Sequence, residues 1–375
     1  MPISLEKLLE GQLTFMQQYY DVTAVSSDEK RLKNFGDQNN VATFYLELTR
    51  KITPLKDLRA VYNLYRFLQK EKPLIVHTHT PKAGIVGMLA AYFARVPLRL
   101  HTVAGLPLME ATGLKRRILN LVEKLTYRAA TNVYPNSKGL LDFIISEKFT
   151  TSSKLKIIGD GSSNGIDTSY FDPVMYTEKD NLDLRKLLDI PIHDFVFIFV
   201  GRLVKDKGIN ELVSAFLELL ENSPGVSLLL VGPFEEELDP LLPETLQNIE
   251  SSRKVFSQGY QKDVRPFFAM SNALIFPSYR EGFPNVVMQA GAMALPSIVT
   301  DINGCNEIIT DNKNGVIVPV KNENLLLQAM KEIVENQSLF SLLKSNARDT
   351  ITANYERREI WSHLLREYHQ LEAKL

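Results

Sequence analysis

Two glycine-bearing turns carry the residues best suited to chemistry in this chain. The first reads Gly201-Arg202-Leu203, then Lys205-Asp206-Lys207-Gly208, and the second reads Pro277-Ser278-Tyr279-Arg280-Glu281-Gly282-Phe283-Pro284-Asn285. The guanidinium fork of Arg202 and the point charge of Lys207 suit a diphosphate. The carboxylate of Glu281 suits the hydroxyls of a sugar, from which it can accept hydrogen bonds. A single loop arginine or lysine is ordinarily a solvated cation. Two turns built alike, one cationic and one acidic, make a joint site the better reading.

The flanking segments explain how such turns are held. The apolar run Phe195-Val196-Phe197-Ile198-Phe199-Val200 precedes the first turn, and Ala273-Leu274-Ile275-Phe276 precedes the second. Both read as buried strands. After the first turn, Leu212, Phe216, Leu219 and Leu220 fall on one helical face; after the second, a helix is predicted from near Pro284 to Ala294. Arg202, Lys207 and Glu281 therefore sit at the carboxyl ends of strands, where open α/β sheets take ligands. Gly282, Phe283, Pro284 and Asn285 lie at a helix N-terminus, whose free N–H groups and dipole attract phosphate.

With these turns in view, the chain resembles the retaining GT-B-fold glycosyltransferases of the family 4 type. The Gly-Arg-Leu…Lys-Gly turn and the Glu-x7-Glu motif that starts at Glu281 carry the resemblance. So do Asn164-Gly165-Ile166-Asp167 with Phe171 and Pro173, His77-Thr78-His79-Thr80-Pro81-Lys82-Ala83-Gly84, and His101-Thr102-Val103-Ala104-Gly105-Leu106-Pro107. The similarity spans nearly the whole chain, and is greatest to bacterial capsule, O-antigen and lipid-linked-oligosaccharide transferases. It implies two Rossmann-like, doubly wound domains facing a cleft: 1–172 for the acceptor, 173–354 for the donor, and a last helix, 355–375, crossing back to the first domain. It also implies a donor site of Gly201, Arg202, Lys207, Glu281, Gly282, Phe283, Pro284, Asn285 and position 289, with His101, Glu281, Arg202 and Lys207 in catalysis. Position 289 departs from the family. The second Glu of the motif is Gln289 here. By resemblance that residue bonds the nucleotide ribose, so altered or weaker ribose binding is expected, not loss of the site.

Composition agrees with a globular, two-domain enzyme. The chain has 375 residues, 45% hydrophobic and 23% charged, with one cysteine, Cys305. A lone cysteine excludes an intramolecular disulfide and a multi-cysteine metal cluster. The start lacks the layout of a signal peptide, and the longest uncharged apolar stretch, 83–94, is too short to span a bilayer. The expected location is cytoplasmic, peripheral at the inner face of the membrane. Charge is divided unevenly: residues 1–172 carry 23 Lys and Arg against 16 Asp and Glu, the remainder 20 against 28. A basic first half suits an anionic acceptor or membrane surface. Within it, the predicted helix 112–131 sets Lys115, Arg116, Arg117, Lys124 and Arg128 beside an apolar stripe of Leu114, Ile118, Leu121, Val122 and Leu125. Such a helix can lie on anionic headgroups, and its stripe equally suits packing into the domain.

Strands and helices alternate throughout, as parallel sheets covered on both faces require. Strands are predicted over 21–26, 40–46, 74–77, 98–101, 132–135, 156–158, 195–200, 226–231, 254–257, 273–276 and 297–299. Helices are predicted over 56–71, 81–94, 138–147 and 355–374. No apolar run precedes the loop and helix of residues 3–16, so the first domain is expected to lack its opening strand, leaving a gap in the middle of its sheet.

Further candidates lie in the first half. His101 ends a predicted strand and, by resemblance, faces the donor sugar. His77 and His79 share a strand face, but no carboxylate or third histidine stands close in sequence to complete a metal site. Lys82 opens a helix and is the candidate for an acceptor phosphate, joined by Arg116 and Arg117. The sequence has no Asp-x-Asp, no Walker-type phosphate loop and no Gly-x-Gly-x-x-Gly. The expected activity is metal-independent transfer of a hexose or N-acetylhexosamine, with retention, from a nucleotide-diphosphate sugar to a polyprenyl-diphosphate-linked glycan precursor. No cofactor and no nucleic acid are expected. The alternatives are a sugar-nucleotide epimerase on the same architecture and a non-catalytic sugar-nucleotide-binding partner of a polysaccharide-biosynthesis complex.

Overall fold

The structure, a computed structural model, describes residues 2–49, 53–106, 108, 111–235, 237 and 239–375. The chain forms two compact units, Met1–Asn164 with Arg357–Leu375, and Gly165–Glu356. The division falls before the Asp172–Pro173 boundary read from the sequence. Ile166 and Phe171 already belong to the apolar core of the second unit, which is why the chain changes unit at Gly165.

The first unit contains β1 (Thr23–Ser26), β2 (Ala42–Tyr45), β3 (Ile75–Thr78), β4 (Leu98–Val103) and β5 (Asn132–Pro135). All pair in parallel, but as two separate sheets, β1-β2 and β3-β4-β5. Val25 of β1 and Val76 of β3 nevertheless pack on one apolar cluster with Ala60, Leu64, Val86 and Ala90. The two sheets thus share a helical layer while no strand joins them among the described residues, which is the expected gap. Residues ahead of β1 form helices Pro2–Leu8 and Gln12–Met16.

One strand expected over 156–158 does not form. The chain makes a single parallel bridge, Leu155 to Val133, and then turns away through Gly159, whose φ is 58°. Lys156 pairs instead with Glu367 of the helix Arg357–Glu372. That helix buries Leu364, Leu365, Tyr368 and Leu371 against Met16, Leu98, Leu100 and Tyr134 of the first unit. Its Trp361 donates from Nε1 to Asn164 Oδ1 at 2.6 Å.

The second unit is a six-stranded parallel sheet of β6 (Phe195–Val200), β7 (Val226–Val231), β8 (Val255–Ser257), β9 (Ala273–Phe276), β10 (Ser297–Thr300) and β11 (Gly315–Val318). The order is β11-β10-β9-β6-β7-β8. The chain winds one way from β6 to β8 and the other way from β9 to β11, so the winding reverses between β6 and β9. A crevice at the carboxyl ends of these two strands is where a doubly wound sheet takes a ligand. Edge strand β11 was not read from the sequence; its four residues, between Asn314 and Pro319, are too short to show a period.

Candidate active site

The two sequence turns follow β6 and β9, the two strands at that reversal. They are packed against each other. Gly208 has φ 70°, and a Cβ there would lie 2.2 Å from Pro277 O, so no other residue fits this crossing. Tyr279 N donates to Asp206 O at 2.9 Å, and Arg280 Nε to Asp206 Oδ2 at 3.1 Å. Asp206 N in turn donates to Asp239 Oδ2 at 2.7 Å. Lys207 and Glu281, both mostly buried, form an ion pair, and Ser278 Oγ donates to Glu281 Oε1 at 3.3 Å. Lys207 also sits 5.7 Å from the ring centre of Phe276. Burial pushes the Cys305 thiol well up, an effect that the nearby Glu281 charge reinforces. This thiol is a packed core group.

Arg202 is more open. Its guanidinium pairs with Glu235, from the loop after β7, and the side chain is 55% exposed. Asn303, after β10, closes the far side by donating from Nδ2 to Glu281 O at 3.2 Å and to Gly282 O at 2.5 Å. Gly304, with φ 77°, lets this loop approach: a Cβ would lie 2.6 Å from Gly282 O. The helix Asn285–Ala292 starts where expected, and no side chain caps its N-terminus. Phe283 packs on Tyr355 at 5.5 Å between ring centres, and Pro284 is buried; their side chains brace the turn. Gln289 lies half-buried on that helix.

Sequence reasoning did not single out Asp206, Ser278, Glu235 or Asn303. Asp206 and Ser278 stood inside the quoted turns, where their spacing showed no partner. Glu235 and Asn303 come from the loops after β7 and β10, and only the sheet order brings those loops to the site.

The first unit holds its candidates separately. His101, on the central strand β4, is 2% exposed. Its Nδ1 lies 2.8 Å from Thr78 Oγ1, and a Cβ at Gly84 would come within 2.6 Å of its ring. The ring expected to face a sugar is thus enclosed by packing in this unit. Burial lowers its pKa to about 4. His77 and His79 do share a face, with ring centres 4.1 Å apart. Both ring nitrogens of His77 are engaged, by Tyr368 Oη at 2.5 Å and Thr102 Oγ1 at 2.8 Å, which leaves it no lone pair for a metal. Burial lowers His77 well below the usual histidine range and His79 to about 3; the charges of His79 and His101 also hold His77 down, and that of His101 holds His79 down. His79 Nδ1 has no partner among the described residues.

The three acceptor candidates are not alike. Lys82 Nζ is held 2.6 Å from Asp57 Oδ2. Arg116 points inward: it donates to Asn120 Oδ1 at 2.9 Å and Leu108 O at 2.7 Å, and pairs with Glu147 at 3.0 Å. Arg117 is exposed. Pro107, the last residue of the second histidine motif, lies outside the described residues.

Known proteins agree with this architecture. The family described as "Glycosyl transferases group 1" matches residues 180–350, and "Glycosyl transferase 4-like domain" matches residues 15–161. The capsular polysaccharide biosynthesis glycosyltransferase CapM of Staphylococcus aureus is 32% identical over 95% of this chain and 92% of its own length. An Escherichia coli enzyme named UDP-Gal:alpha-D-GlcNAc-diphosphoundecaprenol alpha-1,3-galactosyltransferase is 27% identical over 94% of this chain and 92% of its own. Among solved structures, Anabaena HepE in complex with UDP superposes with a TM-score of 0.81, covering 96% of each chain at 19% identity, a likeness of fold. With its two-unit parallel architecture and paired turns at the sheet reversal, this chain belongs to the GT4-type, GT-B-fold glycosyltransferases.

Proposed function

We propose that the protein transfers a hexose or N-acetylhexosamine from a nucleotide-diphosphate sugar to a lipid-linked glycan precursor, with retention and without a metal. The observation that carries this reading is the packing of the β6 and β9 turns into one cluster around Lys207 and Glu281. The names of the capsule and undecaprenol-linked relatives support the acceptor class. Lys207 and Arg202 neutralise the diphosphate, and the uncapped N-terminus of helix Asn285–Ala292 adds N–H donors. A diphosphate offers Lys207 a partner of higher charge than a carboxylate, which releases Glu281 to orient the sugar through its hydroxyls. Gln289 accepts from the ribose.

In the transfer step the bond from the anomeric carbon to the leaving phosphate oxygen breaks while the acceptor oxygen bonds to that carbon on the same face. The acceptor proton passes to the leaving phosphate. His101 and Thr78 shape the first unit's contribution, and Lys82 takes the acceptor phosphate. The protein works at an anionic membrane surface, with Arg117 and Lys115 of helix Gly113–Ala129 turned to the headgroups. No helix among the described residues is long and apolar enough to cross a membrane.

A radiolabelled nucleotide sugar incubated with membranes tests the reading. Label entering a butanol-extractable lipid is expected. An isomerised free nucleotide sugar would mark an epimerase instead, and binding without turnover a non-catalytic partner. Arg202→Ala and Lys207→Ala should each lower turnover by roughly 100-fold or more, as losing one preorganised electrostatic group does. Near-normal rates in both would remove the donor assignment. Glu281→Gln should be severely impaired, whereas Gln289→Glu should keep or improve nucleotide affinity.

A further inference from the structure

Three helices of the first unit form one layer. Pro54–Glu71 packs on Pro81–Phe93, which packs on Gly113–Ala129. The middle helix buries Val86, Met88, Ala90 and Ala91 and exposes only Tyr92 and Phe93 among its large apolar residues. The outer two each turn an apolar ridge away from the core. On Gly113–Ala129, Leu114, Ile118, Leu121 and Leu125 are 40–73% exposed, so the stripe the sequence offered for packing into the domain faces outward. On Pro54–Glu71, Leu55, Leu58 and Tyr62 are 57–84% exposed, opposite the buried Ala60, Leu64 and Leu68. Single exposed apolar residues are ordinary on a surface, but a ridge at helical spacing on each of the two helices that flank Pro81–Phe93 is not.

The charges beside the ridges have one sign. Arg59 and Arg66 flank the first ridge, beside Lys56, which is paired with Glu47, and Lys115, Arg117, Lys124 and Arg128 flank the second, all exposed. The nearby acids are engaged or withdrawn: Asp57 pairs with Lys82, Glu47 with Lys56, and Glu123 is buried. Apolar ridges fringed by lysine and arginine match the boundary between acyl chains and anionic headgroups.

Resting on the membrane reading above, we infer that helix Pro54–Glu71 supplies a second, independent membrane-inserting ridge, so that the protein docks on an anionic bilayer through both outer helices of this layer. The full chain is tested by sedimentation with vesicles of phosphatidylglycerol and phosphatidylethanolamine, and with phosphatidylcholine alone. Wild type should bind the anionic vesicles and release as salt rises. Leu58→Glu with Tyr62→Glu should lower the bound fraction at least about tenfold while the melting temperature is unchanged. The control Leu187→Glu, at an exposed apolar residue of the other unit, should bind as wild type. A polarity-sensitive dye on Leu58→Cys should shift to the blue on vesicle binding and be quenched by brominated acyl chains.

An unshifted dye, or normal binding by the Leu58/Tyr62 variant while Arg117→Glu with Lys115→Glu fails to bind, overturns this inference and leaves the membrane reading standing. No vesicle binding by wild type overturns both. Normal vesicle binding by the Leu58/Tyr62 variant together with a change in its oligomeric state by gel filtration would make the ridge a contact between copies, and also overturns the inference.

Discussion

The buried histidines and one buried glutamate give the first unit a readable response to pH. In an unfolded chain a histidine titrates near about 6.5. In the fold, burial holds His101 at about 4 and His79 at about 3. Below about pH 6.5 the unfolded chain therefore binds protons that the folded one does not, so their contribution is full above that pH and is lost as pH falls toward 4. Glu123, 4% exposed, acts with the opposite sign, because burial raises it to about 7. The folded chain then keeps a proton that the unfolded one releases between about pH 4.5 and 7, and Glu123 favours the fold as pH falls through that window. Replacing Glu123 by Gln should steepen the loss of stability between pH 7 and pH 5, and His79→Gln should flatten it. Urea unfolding of both variants at the two pH values checks the signs; parallel profiles for all three proteins would refute them.

Among the elements, the turn after β6 and the C-terminal helix have separable consequences. Gly208→Ala places a methyl against Pro277 O at a φ of 70°, so the two turns must part. Nucleotide affinity should fall sharply, measured by calorimetry, while the first unit keeps its hydrogen-exchange pattern. Trp361→Ala works on the other unit. It removes an indole that is 8% exposed and donates to Asn164 Oδ1, and truncations of this kind cost about 3–5 kcal/mol. A denaturant midpoint within error of wild type would show that the helix Arg357–Glu372 contributes little to the first unit.

At the scale of the whole molecule, both turns of the nucleotide assignment lie in the second unit. A nucleoside diphosphate that binds the β6–β9 crevice should slow hydrogen exchange in residues 201–208 and 277–289 and raise apparent stability with concentration. A panel of UDP, GDP and dTDP ranks the bases by the size of that shift. Protection confined to residues of the first unit would contradict the donor assignment.

Much of this was legible in the residues. Phe195–Val200 is a continuous apolar run and Val226–Val231 is broken only by Ser227, the near-continuous pattern of a parallel strand covered on both faces, so their bounds were legible. The turns at 201–208 and 277–285 announced themselves because glycine, proline and charge cluster where a strand gives way to a helix. The break between the two sheets of the first unit, seen among the described residues, is where the residues ahead of β1 offer no apolar run. Side-chain partnership was not legible. Arg116 and Arg117 are neighbours in sequence, yet one is drawn inward to Leu108 O and Glu147 while the other meets solvent, because a helix turns about 100° per residue and the core lies on one side. The Lys207–Glu281 pair needed the β6–β9 adjacency, which depends on strand order. Helical spacing revealed the stripe on Gly113–Ala129, but its direction depended on which face the core and helix Pro81–Phe93 cover, the one with Thr126, Tyr127 and Ala129. Local periodicity sets which residues share a face, and long-range packing sets what that face meets.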